Sequence, residues 1–216
     1  MPVDIAEDET AIQNKRTANG FLKPPSLIVK LICELLGTLI FVFFGAGCAA
    51  KQPGLLPVST AHGLVTIWLV YMFGPVSGGH FNAAATLAFA FAGKMKLLEI
   101  PGYLVAQAIG SLIAGAMLLW LYGSGSSLGT PSLAEGVTVF QAFGIEFLLG
   151  ADRDGAALNP WRWLGPAVAS STYEYYAWIY CVGPVAGFLL GYGFAEIAIM
   201  NIRPRFYAEN SQCVTH

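Results

Sequence analysis

Charge is scarce in this chain. Asp, Glu, Lys and Arg make up 11% of its 216 residues, against about 25% in soluble domains. None occurs between Lys51 and Lys94, or between Glu99 and Glu135. A formal net charge of −2 leaves no basic footprint for a nucleic-acid partner. Cysteine is also sparse: Cys33, Cys48, Cys181 and Cys213 lack metal-ligand spacing, and three of them fall in apolar runs. That pattern reads as structural thiols, with no metal site and no disulfide framework. A Ser/His/Asp set and a phosphate-cradling loop are missing too, so nothing points to an enzyme or a cofactor. The Gly123–Gly129 stretch (Gly-Ser-Gly-Ser-Ser-Leu-Gly) reads as a flexible exposed loop.

What remains is apolar length, with a mean hydropathy of +0.61. About 20 apolar residues cross roughly 30 Å of hydrocarbon. Four segments suffice: about Leu31–Ala50, Val58–Pro75, Gly102–Leu121 and Tyr175–Met200. The chain therefore reads as an all-α membrane protein occupying 29–200. Residues 1–28 are expected to form a disordered cytosolic tail, and 201–216 a cytosolic C-terminal tail. Met1–Pro25 is polar and mixed in charge, unlike a secretory signal. Lys15, Arg16, Lys23, Lys30, Lys94, Lys96, Arg203 and Arg205 all fall on one side if four segments cross, and that side should be the cytoplasm.

Between the spans lies an internal repeat at a spacing of 77 residues. Ser77-Gly78-Gly79-His80-Phe81-Asn82-Ala83-Ala84-Ala85-Thr86-Leu87 is echoed by Gly155-Ala156-Ala157-Leu158-Asn159-Pro160-Trp161-Arg162-Trp163-Leu164. The register persists in the pairs Tyr103/Tyr180, Val105/Val182 and Gly110/Gly187. Asn82 starts an Ala-rich run that stops at Gly93, about 11 residues or roughly 16 Å of helix. Asn is a strong N-cap, Pro160 suits a first helical position, and Gly commonly follows a helix C-terminus. Each segment reads as a half-helix whose N-terminus lies near the membrane centre. Two converging helix N-termini repel cations, while Asn amides can donate hydrogen bonds to a neutral solute passing in single file. The alternative is that Asn82 and Asn159 merely cap packed hairpins.

Four stretches carry a family resemblance: Glu34-Leu35-Leu36-Gly37-Thr38, Ser77 to Leu87, Gln141 to Leu148, and Ala157 to Ala167. They resemble the aquaporin family of water and small-solute channels, over roughly Leu31 to Leu190. The resemblance implies six spans and two half-helices in inverted repeats, embedded in a lipid bilayer and usually assembled as a homotetramer. By position, Asn82 and Asn159 resemble the paired pore asparagines. His62, Ala156 and Arg162 match selectivity-filter positions, with Ala156 contributing mainly backbone. Glu34 and Glu146 match buried glutamates that support the half-helix loops.

The pattern also breaks. Ala83 stands where the family has Pro, at little cost because Ala is a good helix former. Trp161 and Trp163 replace small or acidic residues. An indole at 161 is expected either to displace the partner half-helix or to intrude on the passage, and the absence of Asp at 163 tilts toward water over glycerol. Glu34 precedes Asn82 by 48 residues, whereas Glu146 precedes Asn159 by 13. The fourth span is therefore expected to be clipped at Gly150 and the fifth missing, with Ala151-Asp152-Arg153-Asp154 in their place. Val137–Gly150 is too short to cross comfortably and should lie in the membrane or its outer interface, leaving His216 inside. The chain is expected to be a channel for water or small uncharged solutes, as a homotetramer or a hetero-oligomer with relatives. The alternative is a non-conducting truncated subunit that modulates full-length channels.

Overall fold

The computed structural model describes residues 24–148 and 157–212. Every regular element among the described residues is helical. Helix α1 spans Leu27–Ala50 and α2 Leu55–Ser77. The short α3 covers Ala83–Phe91, a 3-10 turn follows at Leu97–Glu99, and α4 runs Ile100–Tyr122. In the second half α5 is Val139–Leu148, α6 is Pro160–Ser170 and α7 is Ile179–Gln212. Residues 27–191 form one compact unit, which holds everything described below. From Tyr192 onward, α7 belongs to a separate unit.

Among the described residues, three helices are long and apolar enough to span a bilayer: Leu27–Ala50, Leu55–Ser77 and Leu97–Tyr122. The fourth expected span begins later than its hydropathy suggested, at Ile179 rather than Tyr175. Residues 174–178 are taken up by turns, with the Ala177 N–H on the Glu174 carbonyl and the Ile179 N–H on that of Tyr176, both at 3.0 Å. Its apolar part is Ile179–Ala195. Helix α5 has only ten residues, roughly 15 Å, so its length does not cross a membrane. The flanking Leu149, Gly150 and Ala151–Ala156 lie outside the described residues.

Local chemistry sets the short helices. Asn82 caps α3 by accepting the Ala84 N–H at 2.8 Å, and Asn159 caps α6 by accepting that of Trp161 at 3.0 Å. Helix α3 is two residues shorter than expected: it ends at Phe91, and Gly93 takes a positive φ of 67°. The Lys94 N–H then reaches back to Phe89 O at 2.9 Å. Helix α6 closes the same way, with Ser171 left-handed and the Thr172 N–H on Ala167 O at 3.0 Å. Both half-helices thus satisfy a terminal carbonyl that hydrocarbon would leave orphaned.

Packing repeats as the sequence repeats. Helices α1 and α4 approach so closely that a Cβ on Gly110 would collide with the Leu35 carbonyl. A Cβ on Gly187, its counterpart, would collide with the Phe147 carbonyl. Leu35 and Phe147 each follow one of the paired glutamates, so both halves use one crossing built on backbone contact. Below the first crossing, Val42 and Ala46 of α1 pack on Ala114 and Leu118 of α4 and on Leu128. A second cluster gathers Ala142, Ala157, Ile179 and Tyr180. Helix α2 buries little of itself: Leu56 is 77% exposed and Tyr71 84%. Large apolar side chains facing outward are what a lipid solvent requires.

Cys33 is buried, Cys48 half-buried and Cys181 exposed, all as free thiols. Cys213 lies outside the described residues.

Candidate functional site

The two glutamates hold the turns that enter the half-helices. Glu34 is fully buried in α1. Its Oε1 accepts the Ser77 hydroxyl at 2.7 Å and the His80 N–H at 3.0 Å; its Oε2 accepts the Phe81 N–H at 2.8 Å and the Gln107 amide at 2.7 Å. Glu146, 2% exposed in α5, repeats the arrangement. Its Oε1 accepts the Ala157 N–H at 2.6 Å and its Oε2 the Leu158 N–H at 2.8 Å. In each half the carboxylate binds the N–H of the residue just before the capping Asn. Charge-assisted bonds of this kind are roughly twice as strong as neutral ones.

Held this way, Phe81 and Leu158 adopt left-handed backbone, with φ of 47° and 49°. Neither is Gly, so each position costs roughly 1–2 kcal/mol. The strain accompanies a reciprocal link between the halves. The Asn82 side-chain amide donates to Leu158 O at 3.0 Å, and that of Asn159 donates to Phe81 O at 2.8 Å. Each Asn thus caps its own helix through Oδ1 and binds the opposite turn through Nδ2. Two helix N-termini meet, joined by their own caps, and each amide retains a second N–H.

Arg162 lies one turn into α6 and is 2% exposed. Its Nε donates to His62 Nε2 at 2.9 Å, and its Nη1 donates to Gly129 O at 2.8 Å. His62 Nδ1 lies 2.8 Å from Val58 O. A carbonyl can only accept, so Nδ1 carries the proton and Nε2 is left as the acceptor that Arg162 needs. The imidazole packs against the backbone at Gly45, where a Cβ would overlap the ring, and edge-on to Phe41 with centroids 5.4 Å apart. The structure therefore brings His62 and Arg162 together, although 100 residues separate them. Ala156, expected beside them, lies outside the described residues.

Trp161 departs from expectation. Its indole turns to α4, where Nε1 donates to Gln107 Oε1 at 2.9 Å. The half-helices stay linked by both asparagines, so the expected displacement of one from the other does not occur. Trp163 stacks on Tyr180 with planes 16° apart. The sequence reading missed three partners: Gln107, which is fully buried; Ser111, whose hydroxyl donates to Trp161 O and accepts the Gly165 N–H; and the Gly129 carbonyl. A Gln within a membrane span is a signal in itself. A loop carbonyl gives none.

Residues 22–153 and 148–194 match the family model of the major intrinsic proteins. The chain belongs to the major intrinsic protein family. Its two matched stretches meet at 148–153, where the Glu–Asn spacing places the shortened segment. The chain is similar to aquaporin-5 of Ovis aries, at 33% identity over 73% of this chain and 76% of that protein. It is also similar to nodulin-26 of Glycine max, at 30% identity over 82% of each. The fold matches the X-ray structure of the aquaglyceroporin from Plasmodium falciparum with a TM-score of 0.72, at 21% identity, over 82% of this chain and 98% of that one. The protein is thus an integral, multi-pass membrane protein of a family of channels for water or small solutes.

Proposed function

We propose that this chain itself conducts water or another small uncharged solute past the two joined half-helix N-termini. The observation that carries the reading is the reciprocal pair Asn82 Nδ2 to Leu158 O and Asn159 Nδ2 to Phe81 O. Each N-terminus contributes about half a positive charge, so a cation arriving there is repelled from two sides. A neutral solute instead meets the second N–H of Asn82, which is partly exposed, as a donor, whereas Asn159 is 2% exposed; the solute need not be ionised to be held. Arg162 and His62 form a second constriction in this reading, with Ala156 contributing backbone beside them. A fixed guanidinium adds to the barrier against cations. Glu34 and Glu146 act behind the site, holding Phe81 and Leu158 in the strained backbone that presents their carbonyls. Residues 29–200 would constitute the membrane domain between cytosolic tails at 1–28 and 201–216, with assembly as a homotetramer or with longer relatives.

One observation favours a second reading. Only 13 residues separate Glu146 from Asn159, and the described α5 has ten residues. Among the described residues no further helix stands between α5 and α6 to supply the wall of a fifth span, which suits a non-conducting subunit that joins full-length relatives. Stopped-flow shrinkage of vesicles containing the purified chain, alone and together with a full-length relative, separates the two. Accelerated shrinkage with the chain alone supports the channel. Protein-free rates alone, combined with slowed flux of the relative, support the modulator and overturn the channel.

A further inference from the structure

Trp161 is the second residue of α6, and its indole sits in a continuous polar chain. Its backbone N–H donates to the capping Asn159 Oδ1 at 3.0 Å, its carbonyl accepts the Ser111 hydroxyl, and its Nε1 donates to Gln107 Oε1 at 2.9 Å. Gln107 is fully buried. Its Nε2 donates both to Glu34 Oε2 at 2.7 Å and to Thr86 Oγ1 at 2.9 Å. Thr86 in turn donates to the Asn82 carbonyl at 3.0 Å, and Glu34 holds the Phe81 N–H at 2.8 Å. The Trp161 indole is therefore joined, through a single Gln, to both sides of the first half-helix cap.

We infer that Trp161 is a positioning residue: through Gln107 its indole N–H fixes the distance and rotation between the two capping asparagines. Gln107 can play this part because its amide has one arrangement that satisfies every neighbour. Both N–H groups face acceptors, so Oε1 is the end left for a donor, and Trp161 supplies it. Because Gln107 is fully buried, an Oε1 with no donor is costly, and the amide would turn or shift to find one. Either movement disturbs Thr86 and Glu34, and with them the Phe81 carbonyl on which Asn159 Nδ2 rests. The direct Asn-to-carbonyl bonds then form one tie between the half-helices and the Trp161–Gln107 bridge a second. A small residue at 161 would leave only the first.

The inference rests on the channel reading only for what the asparagines touch, so its test reads the asparagines directly. Full-length protein labelled with 15N-Asn in lipid nanodiscs reports the side-chain amide resonances of Asn82 and Asn159, each assigned by single substitution. Trp161→Phe keeps a ring and deletes the donor. It should shift both amide pairs and speed their hydrogen exchange several-fold. Trp163→Phe, at the indole that stacks on Tyr180, should move neither. In vesicles, Trp161→Phe should raise proton leak relative to water flux several-fold. Unmoved Asn82 and Asn159 amides in Trp161→Phe would overturn the inference, as would equal shifts in Trp163→Phe. If the unsubstituted protein passes no water, the channel reading fails, and the amide resonances still decide the bridge.

Discussion

Replacing Glu34 with Gln tests how the half-helix turns are held. The carboxylate accepts four hydrogen bonds: from the Ser77 hydroxyl, the His80 and Phe81 amides and the Gln107 side chain. The amide keeps one acceptor oxygen and turns the other into an NH2 that faces donors. The Oε1 pair is Ser77 and His80; the Oε2 pair is Phe81 and Gln107. Whichever way the new amide points, two donors lose their partner. A buried donor left unsatisfied costs about 1–3 kcal/mol, so the loss should be about 2–6 kcal/mol. The Gln107 amide would also lose the anchor that orients it toward Trp161. The assay is reversible unfolding in mixed micelles, following helix loss against increasing SDS fraction. A Glu34→Gln protein as stable as the unsubstituted chain would refute the argument that this carboxylate organises the first turn.

Four further outcomes follow from named contacts. Thr38 Oγ1 is buried without a hydrogen-bond partner among the described residues; Thr38→Val should leave stability unchanged or raise it by up to about 1 kcal/mol in the same titration. Gly110→Ala would drive a methyl into the Leu35 carbonyl and should cost about 1–3 kcal/mol, with Gly187→Ala matching it through Phe147 O; a neutral result at either position contradicts the crossing. Lys30 pairs with Glu99 at 3.1 Å where both side chains are partly exposed, so Lys30→Gln should cost less than about 1 kcal/mol. His62 accepts from Arg162 only while Nε2 is unprotonated; His62→Phe should remove any acid sensitivity of flux that arises there, measured as vesicle shrinkage across pH.

Much of the site was readable because it depends on residues with narrow habits. Asn82 and Asn159 cap, Pro160 opens a helix and Gly93 closes one, and all four do so in the structure. Glu34 and Glu146 stood out through the family resemblance, and their donors proved to include the turns ahead of each Asn. The reciprocal Asn bonds were not legible. They depend on Phe81 and Leu158 taking a positive φ, which neither residue type advertises. The pairing of His62 with Arg162 needed three dimensions as well, since it joins α2 to α6. Trp161 was read by volume alone, as displacing the partner half-helix or intruding on the passage, and that reading did not foresee its indole N–H on Gln107. The late start of α7 shows the same limit: hydropathy marks Tyr175–Trp178 as membrane, and backbone turns claim it.

Two opposed helix N-termini that admit a neutral solute should turn back a positive one. Osmotic water flux and proton leak, recorded in the same vesicles carrying only this chain and an internal pH dye, test it most directly. Water should move faster than in protein-free vesicles, with proton leak unchanged. Water movement no faster than in those controls, or protons crossing along with the water, would contradict it.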